Sequence, residues 1–304
     1  MSGRMALICL AASAATQAGA ETLASAPRPA AGVDVFASSD ADHTEVQKIG
    51  ANLDWRYVDP DTFQGVRVEN ARFRPLGLGA INDQRVYLRL ADKGESWSWK
   101  AMPGTDGHTV IGSASLHNEA KFRQEYFLER EILETPRGLR EGVYYTFGGG
   151  ALDLPINDHN NVTLVAGLQD FTGKNLRTHV RVNYVHVLKS DWGLTAQLRT
   201  RYFHSSTPGE YDYFSPRWYA EVTPVLQLRR YTAGWRYLLA AGVGAQKSAG
   251  SDWRRSRYFN AQLTSPTVSK SWAVTGSFTY SDTPVGSGVS YNYKQGTLGV
   301  TRAF

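Results

Sequence analysis

The chain has 304 residues, of which 42% are hydrophobic and 20% are charged, and 33 Lys and Arg against 28 Asp and Glu give a formal net charge of +5. Its mean hydropathy is −0.37, and no run approaches the roughly 18 consecutive apolar residues of a membrane-spanning helix. The basic residues are dispersed along the chain, a distribution that argues against a nucleic-acid partner.

The first 20 residues have the features of a secretory signal peptide. Arg4 supplies a positive start, residues 5–15 form a short apolar run, and Ala18-Gly19-Ala20 has the form of a cleavage site. The alternative is the frayed N-terminus of a cytosolic protein. The single cysteine, Cys9, lies in this segment, so cleavage would leave no thiol for a disulfide, a metal site or a nucleophile.

Residues 21–44 are rich in Ala, Ser, Pro and Asp, which predicts a periplasmic linker. From residue 45 onward, segments of alternating polarity are separated by turn residues such as Asp59-Pro60-Asp61. Because side chains of a strand point alternately to opposite faces, each segment predicts a strand with one apolar and one polar face. After residues 49–57, strands are predicted near residues 64–74, 83–91, 96–102, 108–117, 120–131, 140–153, 160–170, 175–188, 191–204, 213–230, 232–247, 253–264, 269–281 and 289–304.

The alternation is cleanest in residues 176–184 and 192–202, where arginines occupy the polar face. A long series of such strands predicts an all-β fold, a single antiparallel transmembrane β-barrel over residues 45–304. About 15 strands are recognisable; bacterial barrels have even numbers, so 16 strands are expected, with 14 as the alternative. A soluble β-sandwich is the competing architecture.

Aromatic residues recur near strand ends on the apolar face, as in the interfacial girdles of membrane barrels. They are Trp55 and Tyr57, Trp192 and Tyr202, Trp235 and Tyr237, and Trp272 and Tyr280. The final residue, Phe304, shares a face with Leu298 and Val300 and resembles the signal that directs outer-membrane proteins to the barrel-assembly machinery, although Arg302 departs from that pattern.

Charged residues on the polar face are the candidate site, because guanidinium groups in a watery pore bind anionic or polyhydroxyl solutes. The predicted lumen-lining residues are Arg177, His179, Arg181, Arg199, Arg201, Asp54, Arg56, Glu221 and Arg229. The alternative is a salt-bridged plug that only stiffens the barrel. The seven histidines lack the spacing of a metal site, so neither metal nor cofactor is expected.

His204-Ser205-Ser206 and Asp212 are residue types that a hydrolytic site uses. Such a site requires a nucleophile, a base and an orienting group in contact, and adjacency in sequence does not establish this. No catalytic residue is therefore assigned, and the chain is expected not to be an enzyme.

The segment from Tyr211 to Tyr219 resembles the Tyr-Phe/Tyr-Ser-Pro-x-x-Tyr motif in the C-terminal barrels of exopolysaccharide export porins, including those of cellulose and poly-N-acetylglucosamine secretion. The matching residues are Tyr213, Phe214, Ser215, Pro216 and Tyr219. The segment 38–42 is similar to the Ser/Asp-rich entry of such barrels. The resemblance implies a 16-strand barrel that conducts a nascent polysaccharide, with aromatic rings at a rim where they stack on sugars or serve only assembly.

This chain lacks the tetratricopeptide repeats that precede the barrel in those porins. The expectation is a conduit or porin of the Gram-negative outer membrane, linked to polysaccharide export. The alternatives are a barrel enzyme that modifies lipid or lipopolysaccharide, and a plugged structural or phage-receptor barrel. Expected partners are outer-membrane lipid, the barrel-assembly machinery, polysaccharide and a periplasmic scaffold protein, with no nucleic acid.

Overall fold

The computed structural model describes residues 26–41, 43–266, 271–282 and 292–304. These residues form sixteen strands and one short helix, α1 (Pro136–Glu141). The strands are β1 (Arg28–Asp40), β2 (Glu45–Asp59), β3 (Thr62–Arg74), β4 (Ile81–Lys93), β5 (Trp97–Thr105), β6 (Val110–Asn118), β7 (Gln124–Ile132), β8 (Tyr144–Asn157), β9 (Asn160–Phe171), β10 (Leu176–Lys189), β11 (Leu194–Ser205), β12 (Trp218–Thr232), β13 (Trp235–Ser248), β14 (Arg254–Thr264), β15 (Trp272–Ser281) and β16 (Tyr293–Ala303).

Each strand pairs antiparallel with its neighbours in sequence, and β1 pairs with β16 to close the barrel. In the closing pair, Val33 lies opposite Val300 and Val35 opposite Leu298. Closure leaves no unpaired sheet edge. A sheet surrounded by hydrocarbon requires this, because hydrocarbon offers no hydrogen-bond partner to the backbone. The predicted all-β barrel of sixteen antiparallel strands is confirmed, and the two-sheet sandwich is excluded.

The linker predicted for residues 21–44 is wrong for residues 28–40, because they form β1. Val33 and Val35 are 56% and 44% exposed on its outer face. Its inner positions include Gly32 and Ser38, which are small because side chains of other strands fill the interior beside them. Small inner residues weaken the alternation of polarity, so composition alone suggested a linker. The predicted signal peptide and the remainder of the linker lie almost entirely outside the described residues.

Exposed and buried side chains alternate along the strands and define the two faces of the barrel. Val180 of β10 is 50% exposed, whereas its neighbour His179 is 2% exposed; Leu198 of β11 is 42% exposed beside Gln197 at 7%. An apolar outer face and a polar inner face are typical of transmembrane barrels. The inner face encloses the lumen.

A β-bulge near the end of β2 changes the faces of two residues. The register shifts after Asp54, so that Arg56 pairs with Gln64 and Tyr57 with Phe63. Gln64 lies on the outer face of β3, and paired residues share a face, so Arg56 points outward and the buried Tyr57 points into the lumen. The assignment of Arg56 to the lumen and of Tyr57 to the outer aromatic girdle is corrected accordingly.

The two ends of the barrel differ in the length of their connections. At the end that carries Arg28 and Phe304, the terminal end, β2 joins β3 through two residues and β12 joins β13 through Ala233 and Gly234. Both residues of the second turn have positive φ, 49° and 79°, as a type I′ hairpin turn requires. The opposite, long-loop end carries the connections 133–143 and 206–217.

Candidate functional site

Three sectors of the inner face differ in their side chains. The basic sector, on β10 and β11, comprises Arg177, Arg181, Arg199 and Arg201. The charged network, on β1–β7 and the connection after β7, comprises Asp34, Lys48, Asp54, Arg67, Glu69, Asp83, Arg85, Arg89, Glu131 and Glu134. The small polar sector, on β14–β16, comprises Gln262, Thr275, Ser277, Gln295 and Thr297.

The basic sector brings like charges together across strands. Arg181 lies directly opposite Arg201, and Arg201 is also opposite Glu221 of β12. Like charges in opposite positions of neighbouring strands destabilise the sheet. The lower arginine, Arg199, donates through Nε to Oε1 of Gln197 at 2.9 Å. Antiparallel pairing therefore brings Arg181 and Arg201 together, whereas Arg199 lies opposite Asn183.

Several guanidinium donors of the basic sector have no acceptor. Nε and Nη2 of Arg181 and Nε of Arg201 are buried atoms without a hydrogen-bond partner in the part of the chain that the structure describes. A buried charged donor that lacks an acceptor is costly. Arg181 and Arg201 are only half-buried as whole residues, so each retains surface that an anionic or hydroxyl-bearing solute in the lumen can reach.

Arg177 has a different environment from Arg181 and Arg201. Its guanidinium lies 5.0 Å from the ring of Phe171 and 4.4 Å from that of Phe203, and Nη2 donates to the carbonyl oxygen of Phe214 at 2.7 Å. Arg177 is 2% exposed. It therefore braces the aromatic wall, and its donors are directed into protein.

The other predicted lumen residues on this side are placed as follows. Buried His179 contacts Oε1 of Gln169 through Nε2 at 3.1 Å, and its ring is 5.0 Å from that of Phe147. Glu221 accepts hydrogen bonds from Tyr219, Thr223 and Ser256. Arg229 is half-buried toward the terminal end of β12.

The charged network fills one side of the lumen with ion pairs. Arg85, whose side chain is 0% exposed, contacts Asp83 at 2.8 Å, Glu131 at 3.0 Å and Glu69 at 3.5 Å. The contact with Glu131 joins β4 to β7 and so passes through the interior of the barrel. Carboxylates outnumber cations here, whereas arginines predominate in the basic sector, and the two sectors give the lumen opposite charges on different sides.

Two further arginines, which make three ion pairs, extend this network toward β1 and β2. Arg67 bonds both Asp34 and Glu69, and Arg89 Nη1 donates to the carboxylate of Asp54 at 2.6 and 2.8 Å. Asp54 was predicted to line the lumen; Arg67 and Arg89 were missed. Alternation within the predicted strands 64–74 and 83–91 places both arginines on the polar face. The sequence pattern therefore contained the information needed to assign them to the lumen.

The connection between β7 and β8 folds into the lumen at the long-loop end. Glu134 Oε1 lies 2.7 Å from Nζ of Lys48 on the inner face of β2, and both side chains are 1% exposed. Burial raises the pKa of Glu134, and the Lys48 ammonium opposes that shift. Leu139 of α1 packs against an apolar cluster inside the barrel that includes Phe73 and Tyr144. The connection therefore narrows this end of the lumen.

One carboxylate links this inward-folded connection to the connection between β11 and β12. Asp212 accepts from Oγ1 of Thr135 at 2.6 Å and from the backbone amide of Arg137 at 2.8 Å. Thr135 also caps α1, because its Oγ1 accepts from the amide of Gly138 at 3.0 Å. The position of α1 thus depends on both long-loop connections. The bond between Thr135 and Asp212 joins residues that are 77 positions apart in sequence.

The residues of the export-porin motif form a buried aromatic layer. The Tyr213 ring stacks on Phe171 with centroids 4.4 Å apart, and its hydroxyl accepts from Nδ2 of Asn175 at 2.6 Å. Burial raises the pKa of Tyr213 to about 12. Tyr219 stacks on Phe203 at 5.1 Å. The expected exposed rim for sugar stacking is therefore not found at Tyr213, which is 1% exposed.

The remaining motif residues hold this layer in place. The Phe214 ring meets that of Tyr219 edge-on at 5.7 Å. Ser215 Oγ accepts from the amide of Gly209 at 3.0 Å, and Pro216, which has no amide hydrogen, lies just before β12. Phe304 is 63% exposed, and its amide donates to the carbonyl oxygen of Pro29 beside the β1–β16 seam.

His204, Ser205 and Asp212 do not come together as a hydrolytic site. His204 and Ser205 are successive residues of β11 and point to opposite faces, and Ser205 Oγ accepts from Arg177 at 3.3 Å. Asp212 is bonded to Thr135 and Arg137. Within the described ranges, no group of three or more His, Cys, Asp or Glu could hold a metal ion.

No protein-family model matches the chain, and no curated protein matches it in sequence. Among solved structures, a bacterial polysaccharide outer membrane secretin is similar, with 12% identity and a TM-score of 0.64 over 90% of this chain and 98% of that one. The resemblance to an export-porin barrel is thus confirmed for the fold.

Two further solved structures match more loosely. OccAB3 of Acinetobacter baumannii has 10% identity and a TM-score of 0.44, covering 91% of this chain and 99% of its own. An anion-selective porin from Comamonas acidovorans has 11% identity and a TM-score of 0.40, with 92% and 99% covered. A shared fold does not by itself establish a shared function.

Arg85→Met tests the charged network. Removing this cation leaves Glu69, Asp83 and Glu131 near one another in a buried site, so we expect a loss of about 3–5 kcal/mol in the free energy of unfolding. Urea titration of the barrel in detergent micelles measures it. The control is Arg74→Met, which removes an exposed pair with Glu45 and should cost less than about 1 kcal/mol. Equal losses in the two variants would contradict the role given to the network.

Asp212→Ala tests the link between the long-loop connections. Loss of both hydrogen bonds should free α1, so proteases should cleave residues 133–143 several-fold faster, with ion conductance increased. Asp252→Ala, in the exposed β13–β14 connection, removes the same charge and should change neither property. Unaltered cleavage and conductance in Asp212→Ala would show that α1 is held by its other contacts.

Proposed function

We propose that the protein is an outer-membrane conduit for polar solutes, with a preference for anionic or hydroxyl-rich cargo. The observation that carries the proposal is the group of half-buried arginines Arg181, Arg199 and Arg201 on the inner face, where Arg181 lies directly opposite Arg201. Arginines that point into a polar lumen attract anions and bind oxygen atoms of solutes. Like charges in opposite positions destabilise a sheet, so a wall that served only stability would gain nothing from them.

The small polar sector supports a continuous pathway beside these arginines. Ser277 and Thr297 hydrogen-bond to each other at 2.7 Å and remain exposed on the inner face. Short hydroxyl side chains leave space for water, and the charged network occupies a different part of the wall. Solutes would therefore pass between the basic and the small polar sectors, below the constriction formed by α1.

We further propose that polysaccharide is the cargo. The fold of the bacterial polysaccharide outer membrane secretin supports this assignment, as does the arginine-rich inner wall. In this account the chain resides in the Gram-negative outer membrane after signal-peptide cleavage. Its long-loop end faces outward, since outer-membrane barrels have short periplasmic turns and longer extracellular loops. The barrel-assembly machinery inserts it, and a separate periplasmic protein provides the scaffold.

Replacing Arg181, Arg199 and Arg201 with Ala tests the conduit in planar bilayers. The anion-to-cation permeability ratio should fall by about threefold or more, because the field of the basic sector is removed. The charge-matched control replaces the outer-face residues Arg72, Arg74 and Arg230 with Ala and should leave the ratio unchanged. Absence of ion current through the wild-type protein would support the plugged barrel. Equal permeability ratios in the wild type and the triple arginine variant would show that the basic sector does not line the pathway.

Block of the ion current by oligosaccharides in the same planar bilayers tests the identity of the transported solute. An anionic oligosaccharide should block the wild-type current at a concentration at least about tenfold lower than a neutral oligosaccharide of equal length. The block should be lost in the triple arginine variant. Equal block by both sugars would retain the conduit and refute a preference for anionic polysaccharide.

A further inference from the structure

Four basic side chains lie on the outer face at the long-loop end, where β13–β16 are adjacent. They are Lys247, Arg255, Arg257 and Lys294, called the outer basic patch. The residues that they pair with on neighbouring strands show that these side chains point outward. Arg255 pairs with Ala245 and Arg257 with Val243, which is 51% exposed on the outer face. Lys294 pairs with Tyr280, also on the outer face.

Three of these residues are close together, whereas Lys294 lies two strands from β14, at the level of Phe259. Arg255 and Arg257 are two positions apart on one face of β14, and Lys247 is the diagonal neighbour of Arg255, at a spacing of roughly 7–8 Å between such positions. Asp282 accepts from Nε of Arg257 at 2.7 Å and offsets part of this charge. The side chain of Arg257 is nevertheless 57% exposed, so the patch retains a net positive charge.

An apolar surface continues from the patch toward the terminal end. Leu239 and Val243 of β13 are 50% and 51% exposed, and Phe259 and Phe278 of the next two strands are 39% and 43% exposed. The Tyr280 hydroxyl donates to Asp282 at 2.8 Å, beside the patch. Aromatic residues with a polar tip mark the level of the lipid headgroups in membrane proteins. The basic side chains therefore stand at headgroup level, directly above a surface suited to acyl chains.

We propose that the outer basic patch is a binding site for a phosphorylated glycolipid of the outer leaflet, of the lipid A class. Charge complementarity places the phosphates on Lys247 and Arg255, and the acyl chains then lie against the apolar rows below. A soluble anion matches only the upper part of this surface, whereas an anionic lipid matches both parts. The inference rests on the proposed outer-membrane location, but it is independent of transport.

The test measures lipid binding to the purified full chain in non-ionic detergent by native mass spectrometry. The probes are lipid A with its phosphates, the same lipid A without phosphate, and inorganic phosphate as a competitor. Wild-type protein should bind phosphorylated lipid A about tenfold more tightly than the dephosphorylated form. Inorganic phosphate at millimolar concentration should not displace the lipid, since it lacks the acyl chains.

Variants locate the site. Lys247→Gln with Arg255→Gln should weaken binding of phosphorylated lipid A by about 10- to 30-fold, while single-channel conductance stays at the wild-type value. The charge-matched control, Arg72→Gln with Arg74→Gln, removes two outer-face arginines at the same end and should retain wild-type affinity. Equal weakening in both double variants, or equal affinity for the two forms of lipid A, would overturn the proposal. Because conductance is recorded separately, failure of lipid binding is distinguishable from failure of the conduit.

Discussion

Hydrogen bonding of the backbone in a lipid environment is the constraint on which the rest of this structure depends. Hydrocarbon offers no partner for an N–H or C=O group, so the sheet has to close, and here it closes where β1 pairs with β16. Closure separates two solvents: the outer face meets lipid with valine, leucine and aromatic side chains, and the inner face collects the polar ones. It also explains why a stretch as unremarkable in composition as Arg28–Asp40 is indispensable, since without it two strands would keep unpaired edges.

Inside the barrel, two arginine environments separate stability from function. Arg85 is surrounded by carboxylates that neutralise it, and the resulting ion pairs connect strands across the interior. Arg181 faces Arg201 and keeps donors without acceptors in the described structure. The first arrangement rigidifies the wall and supports the inward-folded connection through Glu131, Glu134 and Lys48. The second is the arrangement on which the proposed solute binding rests, and it carries the cost of repulsion between neighbouring cations.

Alternation of polarity was sufficient to predict the barrel and the inner-face position of Arg181 and Arg201, because side-chain direction in a strand is a local property. It indicated about 15 strands and missed β1, and the expectation of sixteen came from the even strand numbers of bacterial barrels. Three features depend on information that is not local. The bulge after Asp54 inserts a residue without disturbing the sequence pattern, and so Arg56 was misplaced. The bond from Asp212 to Thr135 joins distant loops. Tyr213 carries a recognisable motif, yet its burial against Phe171 follows only from the folded connection.

The central claim is that the inner face borders water and the outer face borders lipid. Ser277 and Phe278 are adjacent in β15 and point to opposite faces, and both are accessible from their own side of the wall. The most direct measurement is the labelling of Ser277→Cys and Phe278→Cys by a charged, membrane-impermeant thiol reagent in lipid vesicles. Because the sequence has one cysteine, Cys9 is first replaced by Ser. The account predicts labelling at position 277 at least about tenfold faster than at position 278, because thiols react as thiolates in water. Equal rates, or faster labelling at position 278, would contradict it.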